Sequence, residues 1–194
     1  MDDLLEKVIK LCIKKYPKHN WVGHIIPVKN ISLRLQKQYG GEKEIIEPAA
    51  YMHDLGRTIP YLNMLQKFGV GHEVSGYHYA RFKLRQFSCD DKINERIARC
   101  VLTHAGSGQS IYAPENIEEE IIMNADSITV IEQHEYLFAI HYSTHGKDLA
   151  KSMEWFLRKL DRSYETKITL PGLKDEFKNL YKELRDGFNW IDSE

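Results

Sequence analysis

Residues 49–57 read Ala49-Ala50-Tyr51-Met52-His53-Asp54-Leu55-Gly56-Arg57. Ile46, Ala49, Ala50 and His53 share one helical face, so a helix from about Glu42 to Leu55 carries an imidazole and the adjoining carboxylate on its last turn. Gly56 ends that helix, and Pro48 marks a kink or its true start. A carboxylate taken inside costs several kcal/mol unless it is paired or bound to a metal. The chemistry therefore turns on what the neighbouring helices bring to His53 and Asp54.

Outward from this turn the periodicity is helical almost throughout, and no alternating strand pattern is convincing. A helix from about His24 to Tyr39 spaces His24, Val28, Ile31 and Leu35 by four, three and four, with Pro27 in its first turn and Gly40-Gly41 at its end. A helix from about His72 to Phe87 places His72 with Ser75, Gly76, Tyr79 and Ala80. One from about Asp91 to His104 aligns Ile97, Cys100, Val101 and His104. A long helix from about Glu115 to Ser143 sets Asp126 between Ile122 and Thr129. Four histidines and two aspartates thus lie on, or beside, apolar stripes of five helices. Any one of them reads as a satisfied core group. Together, neutral imidazoles and carboxylates are the ligand set of zinc, iron or manganese, and helical bundles build metal sites by projecting such residues inward.

The other histidines fail on geometry. His78 sits about 240° round the helix from His72, and His134 and His141 lie about 12 and 22 Å beyond Asp126 on a straight helix. His141 and His145 have i,i+4 spacing, but Gly146 ends the helix there. His19 belongs to a surface connector.

The remaining elements are an N-terminal helix capped by Asp2 or Asp3 with Leu4, Leu5, Val8, Ile9, Cys12 and Ile13 on one face, a short helix near Tyr61 to Lys67, and two C-terminal helices. These last run from about Lys147 to Tyr164 and from Leu173 to Phe188, parted by Pro171-Gly172. The expectation is one all-α domain over 1–194, with a core of about 20–145 and a helical extension of about 146–194. The extension's Trp155, Phe156, Phe177, Phe188 and Trp190 suit either a homodimer interface or an ordinary core.

The 194 residues hold 27 Lys+Arg against 28 Asp+Glu, a net charge of -1, which excludes an overall basic footprint for nucleic acid. No apolar run reaches the roughly 20 residues that span a bilayer, so no membrane partner is expected. The acidic N-terminus lacks a signal-peptide layout, which points to the cytoplasm. Cys12, Cys89 and Cys100 are too far apart in sequence for a zinc pair or a disulfide framework and read as reduced thiols.

Over about His24 to Val130 the chain resembles the HD-domain superfamily of metal-dependent phosphohydrolases. The small-apolar run into His53-Asp54-Leu55-Gly56, the upstream His24 and the closing Asp126 in Asn124-Ala125-Asp126-Ser127 carry the resemblance. It implies an HD-domain-like helical bundle and four metal ligands, His24, His53, Asp54 and Asp126. Members with two metals add two histidines, and His72 and His104 fit those places, with Asp54 bridging. The implied cofactor is one or two divalent ions per chain, with manganese, iron, zinc, nickel and cobalt all compatible. The implied reaction is hydrolysis of a small phosphate ester, such as a nucleotide, by metal-activated water. A phosphate also needs cationic groups at its other oxygens. Arg57 is the first candidate and Lys29 a weaker one. Glu73 reads as a proton shuttle, as an orienter of His72, or as a first-turn Glu favoured by the helix dipole. The loop Gly106 to Ser110 follows His104 and could cover the substrate, which would leave His104 partly open. The competing readings are a di-iron oxygenase and a non-catalytic module that senses a nucleotide.

Overall fold

The structure is a computed structural model that describes residues 2–61, 64, 71–87, 90–106 and 111–188. The helices are α1 (Asp2–Lys15), α2 (Ile26–Tyr39), α3 (Lys43–Met52), α4 (His72–Phe87), α5 (Asp91–Thr103), α6 (Ile117–Glu132), α7 (His134–Thr144), α8 (Leu149–Arg162) and α9 (Leu173–Phe188). A single helical turn, Lys18–Asn20, and a π-helical turn, Trp21–Ile25, lead into α2. A 3-10 turn, Leu55–Thr58, follows α3, and a second π-helical turn, Ser163–Lys167, follows α8. Among the described residues there is no strand, so the fold is all-α. Among the described residues no helix is long and apolar enough to cross a membrane.

Two helices form the middle of the bundle. From Ile45 to Met52 every residue of α3 except Glu47 is buried, and it packs against α1, α2, α5 and α6. In α6 the run from Ile121 to Ile131 is buried without interruption. A helix buried on all sides belongs in a core, although this one carries Asn124, Asp126, Ser127 and Thr129 there, and α2, α3 and α5 surround it. The two buried acids of its first turn are matched. The Arg99 guanidinium donates to both Glu119 oxygens at 3.2 Å, and Arg96 donates to Glu118 at 2.9 Å. One hydrophobic cluster runs from Val8 on α1 to Phe177 on α9 and includes Phe156, Leu160 and Tyr164 of the extension.

Several expected boundaries move. The long helix from Glu115 to Ser143 is two helices, because Gln133 leaves helical geometry at φ -113° and ψ 31°. The straight-helix distances to His134 and His141 therefore do not hold, although neither ring joins the others. His134 Nδ1 donates to the Ile131 carbonyl at 2.9 Å, and His141 stacks on Trp155 at 4.0 Å. His24 sits on the π-helical turn rather than at the head of α2, and a Trp21–Tyr51 stack at 5.5 Å pins that turn to α3. Pro48 lies inside α3, whose regular turns begin at Lys43. Cys12 and Cys100 are buried free thiols. The short helix near Tyr61 to Lys67, Cys89, residues 107–110 and Trp190 fall largely or wholly outside the described residues, as does the side chain of Phe188.

Candidate metal centre

Five of the six expected ligands come from helix ends or turns. α3 stops at Met52, so His53 and Asp54 occupy a turn, with Asp54 at φ -100° and ψ 12° before the 3-10 turn. The reason lies at Gly56. A Cβ there would fall 1.8 Å from the backbone oxygen of His72 and 2.8 Å from the nitrogen of Gly76. Only glycine allows the turn to press this closely on the first residues of α4, and the contact carries His72 up against Asp54. His104 caps α5, His24 stands on the π-helical turn, and Asp126 projects from the middle of α6.

All six side chains are buried and converge in two groups, His24–His53–Asp126 and Asp54–His72–His104. Within each group the nearest donor atoms lie within 4.8 Å of one another. Asp54 faces both. Its Oδ2 is 3.5 Å from His24 Nε2 and 4.0 Å from His53 Nε2, while its Oδ1 is 3.5 Å from the Nε2 of both His72 and His104. Asp126 Oδ1 lies 3.4 Å from His24 and 3.9 Å from His53.

The imidazole tautomers follow from their partners. His53 Nδ1 is 2.8 Å from the Ala50 carbonyl and His104 Nδ1 is 2.7 Å from the Val101 carbonyl. A carbonyl only accepts, so both rings carry their proton on Nδ1 and turn a lone pair inward at Nε2. Arg57 Nη2 lies 3.1 Å from His72 Nε2 and can only donate, so that nitrogen also holds a lone pair. The Nδ1 of His72 faces Glu73 Oε2 at 3.4 Å. The Nε2 atoms of His72 and His104 thus stand 3.1 Å apart with no proton between them. His24 and His53 repeat the 3.1 Å approach, and His24 Nδ1 is buried without a partner. Convergent imidazole nitrogens and carboxylates fit a divalent cation in each group.

The titration behaviour agrees. Burial pushes His53 down to about 4 and His72 to about 2, the latter helped by the Arg57 charge. Both rings therefore meet neutral pH as unprotonated donors. Burial works to raise the Asp54 carboxyl, but Arg57 and the surrounding imidazoles outweigh it and hold the group well below the usual carboxylate range. At Asp126 burial is outweighed in the same way, chiefly by Lys167.

Of the other expected residues, Arg57 donates from Nε to Asp54 Oδ1 at 2.7 Å, with 48% of its side chain exposed. Glu73 is buried against His72, the position of an orienting group. Lys29 bonds the side chain of Asn30 at 2.6 Å in an exposed contact. His104 is 1% exposed, not partly open, because its ring is tied back to its own helix. His78 and His19 are exposed.

Four residues at or beside the centre escape a reading by periodicity. Lys167 Nζ is 3.0 Å from Asp126 Oδ2. Lys159 and Arg162 lie within electrostatic reach of Asp126 and Arg57. Tyr16 places a buried hydroxyl in the field of Asp54 and Arg57. Lys159 and Arg162 look in sequence like basic residues complementing the C-terminal dipole of α8, and Lys167 follows that helix with no motif around it.

A family model described as HD domain matches residues 21–131. An uncharacterized protein of Clostridium beijerinckii is 30% identical over 93 residues, which is 47% of this chain and 55% of that one. Two proteins named tRNA (cytidine(56)-2'-O)-methyltransferase are also similar. The one from Thermoplasma volcanium is 26% identical over 55% of this chain and 31% of its own, and the one from Picrophilus torridus 24% identical over 58% and 32%. The chain thus spans from about a third to about half of the curated relatives it matches. No solved structure matches significantly.

Proposed function

The chain belongs to the HD-domain family, whose members are in general metal-dependent hydrolases, and on that premise we propose that it is a phosphohydrolase acting on a nucleotide or another small phosphate ester. The observation that carries this reading is the placement of Asp54, one oxygen toward each group of ligands. In this reading His24, His53 and Asp126 would hold one divalent ion and His72 and His104 a second, with Asp54 within reach of both groups. A bound divalent ion supplies Lewis acidity toward a phosphoryl oxygen and brings the pKa of its water to roughly 7.

The chain's own groups do the rest. The backbone carbonyls of Ala50 and Val101 hold His53 and His104 in the donor tautomer, and Glu73 does the same for His72. His72 cannot give one lone pair both to an ion and to Arg57. With an ion held at His72, Arg57 would keep its Nε bond to Asp54 and have Nη2 free to donate to a substrate oxyanion. The methyltransferase names describe longer chains of which this one covers 31% and 32%. The partner is thus read as a small phosphorylated molecule, from the site chemistry rather than from those names.

The test is metal analysis of gently purified protein, then a phosphate-release screen over nucleotides and sugar phosphates with manganese, iron, zinc, nickel or cobalt restored, in air and without oxygen. The reading expects release that needs a metal and survives without oxygen. Substrate-dependent oxygen consumption without phosphate would move the assignment to an oxygenase, and ligand binding without either reaction to a sensor.

A further inference from the structure

The ligands all fall within residues 21–131, yet the wall beside Asp126 is built from the extension. Lys159 and Arg162 are one turn apart on α8 and face the same side. The Lys159 ammonium lies 5.8 Å from the centre of the Trp155 ring. Burial brings it down to about 8, with Arg57 and Lys167 pushing the same way and Asp126 and Asp54 opposing. Its charge is thus within electrostatic reach of those four groups. Arg162 Nε is buried and has no acceptor among the described residues. Lys167 is 4% exposed, and its stem lies against Gly106. A Cβ at Gly106 would meet Lys167 Cε and Cγ at 3.2 Å, and its φ of +70° independently favours glycine. The segment after His104 thus borders the same wall.

The charges do not balance. Around the centre four cations, Arg57, Lys159, Arg162 and Lys167, stand against three carboxylates, Asp54, Asp126 and Glu73, an excess of one positive charge before any ion is counted. One divalent ion makes the excess three and two make it five. A phosphate monoester returns only about two negative charges. Partly buried cations beyond that number are costly unless an anion completes them, and Arg162 Nε already lacks an acceptor.

We propose that Lys159, Arg162 and Lys167 form, with Arg57, a subsite for the non-reacting phosphates of the substrate, which is therefore a molecule with a chain of two or more phosphates. The inference rests on the phosphohydrolase reading for what happens at the metals, but the subsite can be read by binding alone. Arg162 and Arg57 offer planar forks to phosphate oxygens, and the two lysines offer point charges.

The experiment titrates the full-length protein, with free manganese held in saturating excess, against tripolyphosphate and against orthophosphate by calorimetry. Each further phosphate met by charge-assisted bonds adds about tenfold, so the wild type should prefer tripolyphosphate by about 100-fold. In the Lys159→Gln/Arg162→Gln variant the preference should fall below about tenfold, with manganese binding no weaker and Lys159→Arg close to wild type. Equal affinity of the wild type for the two anions overturns the proposal without any variant. An unchanged preference in the double variant, or weaker manganese binding there, also overturns it. The phosphate-release screen is read separately. Tripolyphosphate preference without turnover of any ester keeps the subsite and overturns the phosphohydrolase assignment. Hydrolysis of monoesters without that preference does the reverse.

Discussion

His53 and Lys167 are both buried beside Asp126, 0% and 4% exposed, and they bring it opposite things. His53 Nε2, 3.9 Å from Oδ1, offers a lone pair, while Lys167 Nζ, 3.0 Å from Oδ2, offers a proton. The contrast extends to the regions they come from. Residues 21–131 supply every imidazole and carboxylate of the centre, locked by backbone carbonyls and a glycine contact. Residues 149–167 supply three cations on a helix and the turn behind it. On the proposed reading one region would accept a cation and the other an anion. Substitutions in the two should therefore move metal binding in opposite directions.

The largest effect is expected at Asp54→Ala, which removes the one carboxylate shared by both groups. Metal content should fall towards zero, and phosphate release by more than about a thousandfold, since loss of a metal clamp is worth several kcal/mol and each 1.36 is tenfold. Elemental analysis and single-turnover assay read both. Full metal content in this variant breaks the contrast at its centre.

Gly56→Ala comes next. Its Cβ would collide with the His72 carbonyl at a distance of 1.8 Å. α4 must shift away from the Asp54 turn, at about 1–3 kcal/mol of stability. Thermal unfolding should show the loss, and the Asp54–His72–His104 group should lose its ion before the other does. A variant of unchanged stability and metal content would mean that this contact does not set the position of His72.

Glu73→Gln sharpens the comparison within the ligand region. The carboxylate that faces His72 Nδ1 becomes a weaker partner, and such partners are worth about 10–100-fold in metal affinity. The loss should appear in one of two binding steps on manganese titration. An equal loss in both steps would make Glu73 a general electrostatic residue rather than an orienter.

The smallest effect carries the opposite sign. Lys167→Met removes a cation 3.0 Å from Asp126. Metal affinity should rise, by a few-fold, as expected for about 1 kcal/mol of relieved repulsion, while phosphate affinity falls. A drop in both would show that Lys167 holds Asp126 in place and would remove the distinction between the regions at this residue.

Much of the centre was legible in the chain itself. Spacing at 3.6 residues put His24, His53, His72, His104 and Asp126 on apolar faces, and burial of a charge without a surface to neutralise it pointed to a metal. Both inferences are local, because a helix fixes the directions of its own side chains. The break at Gln133 was not legible, since no Gly or Pro stands between Ile128 and Phe138 and Glu132 to Glu135 suit an exposed helical turn, so only the tertiary structure decides. Gly56 read as a helix stop, although its stronger constraint is a carbonyl sixteen residues ahead on α4. Lys159 and Arg162 read as a basic last turn. What turns them toward the centre is the packing of α8 against α6 and α7. Lys167 meets Asp126 across 41 positions of sequence. Periodicity determines which way a residue faces on its own helix. Which group it faces there depends on the crossing of two helices, and that is decided by the fit of whole surfaces rather than by the residues on either one.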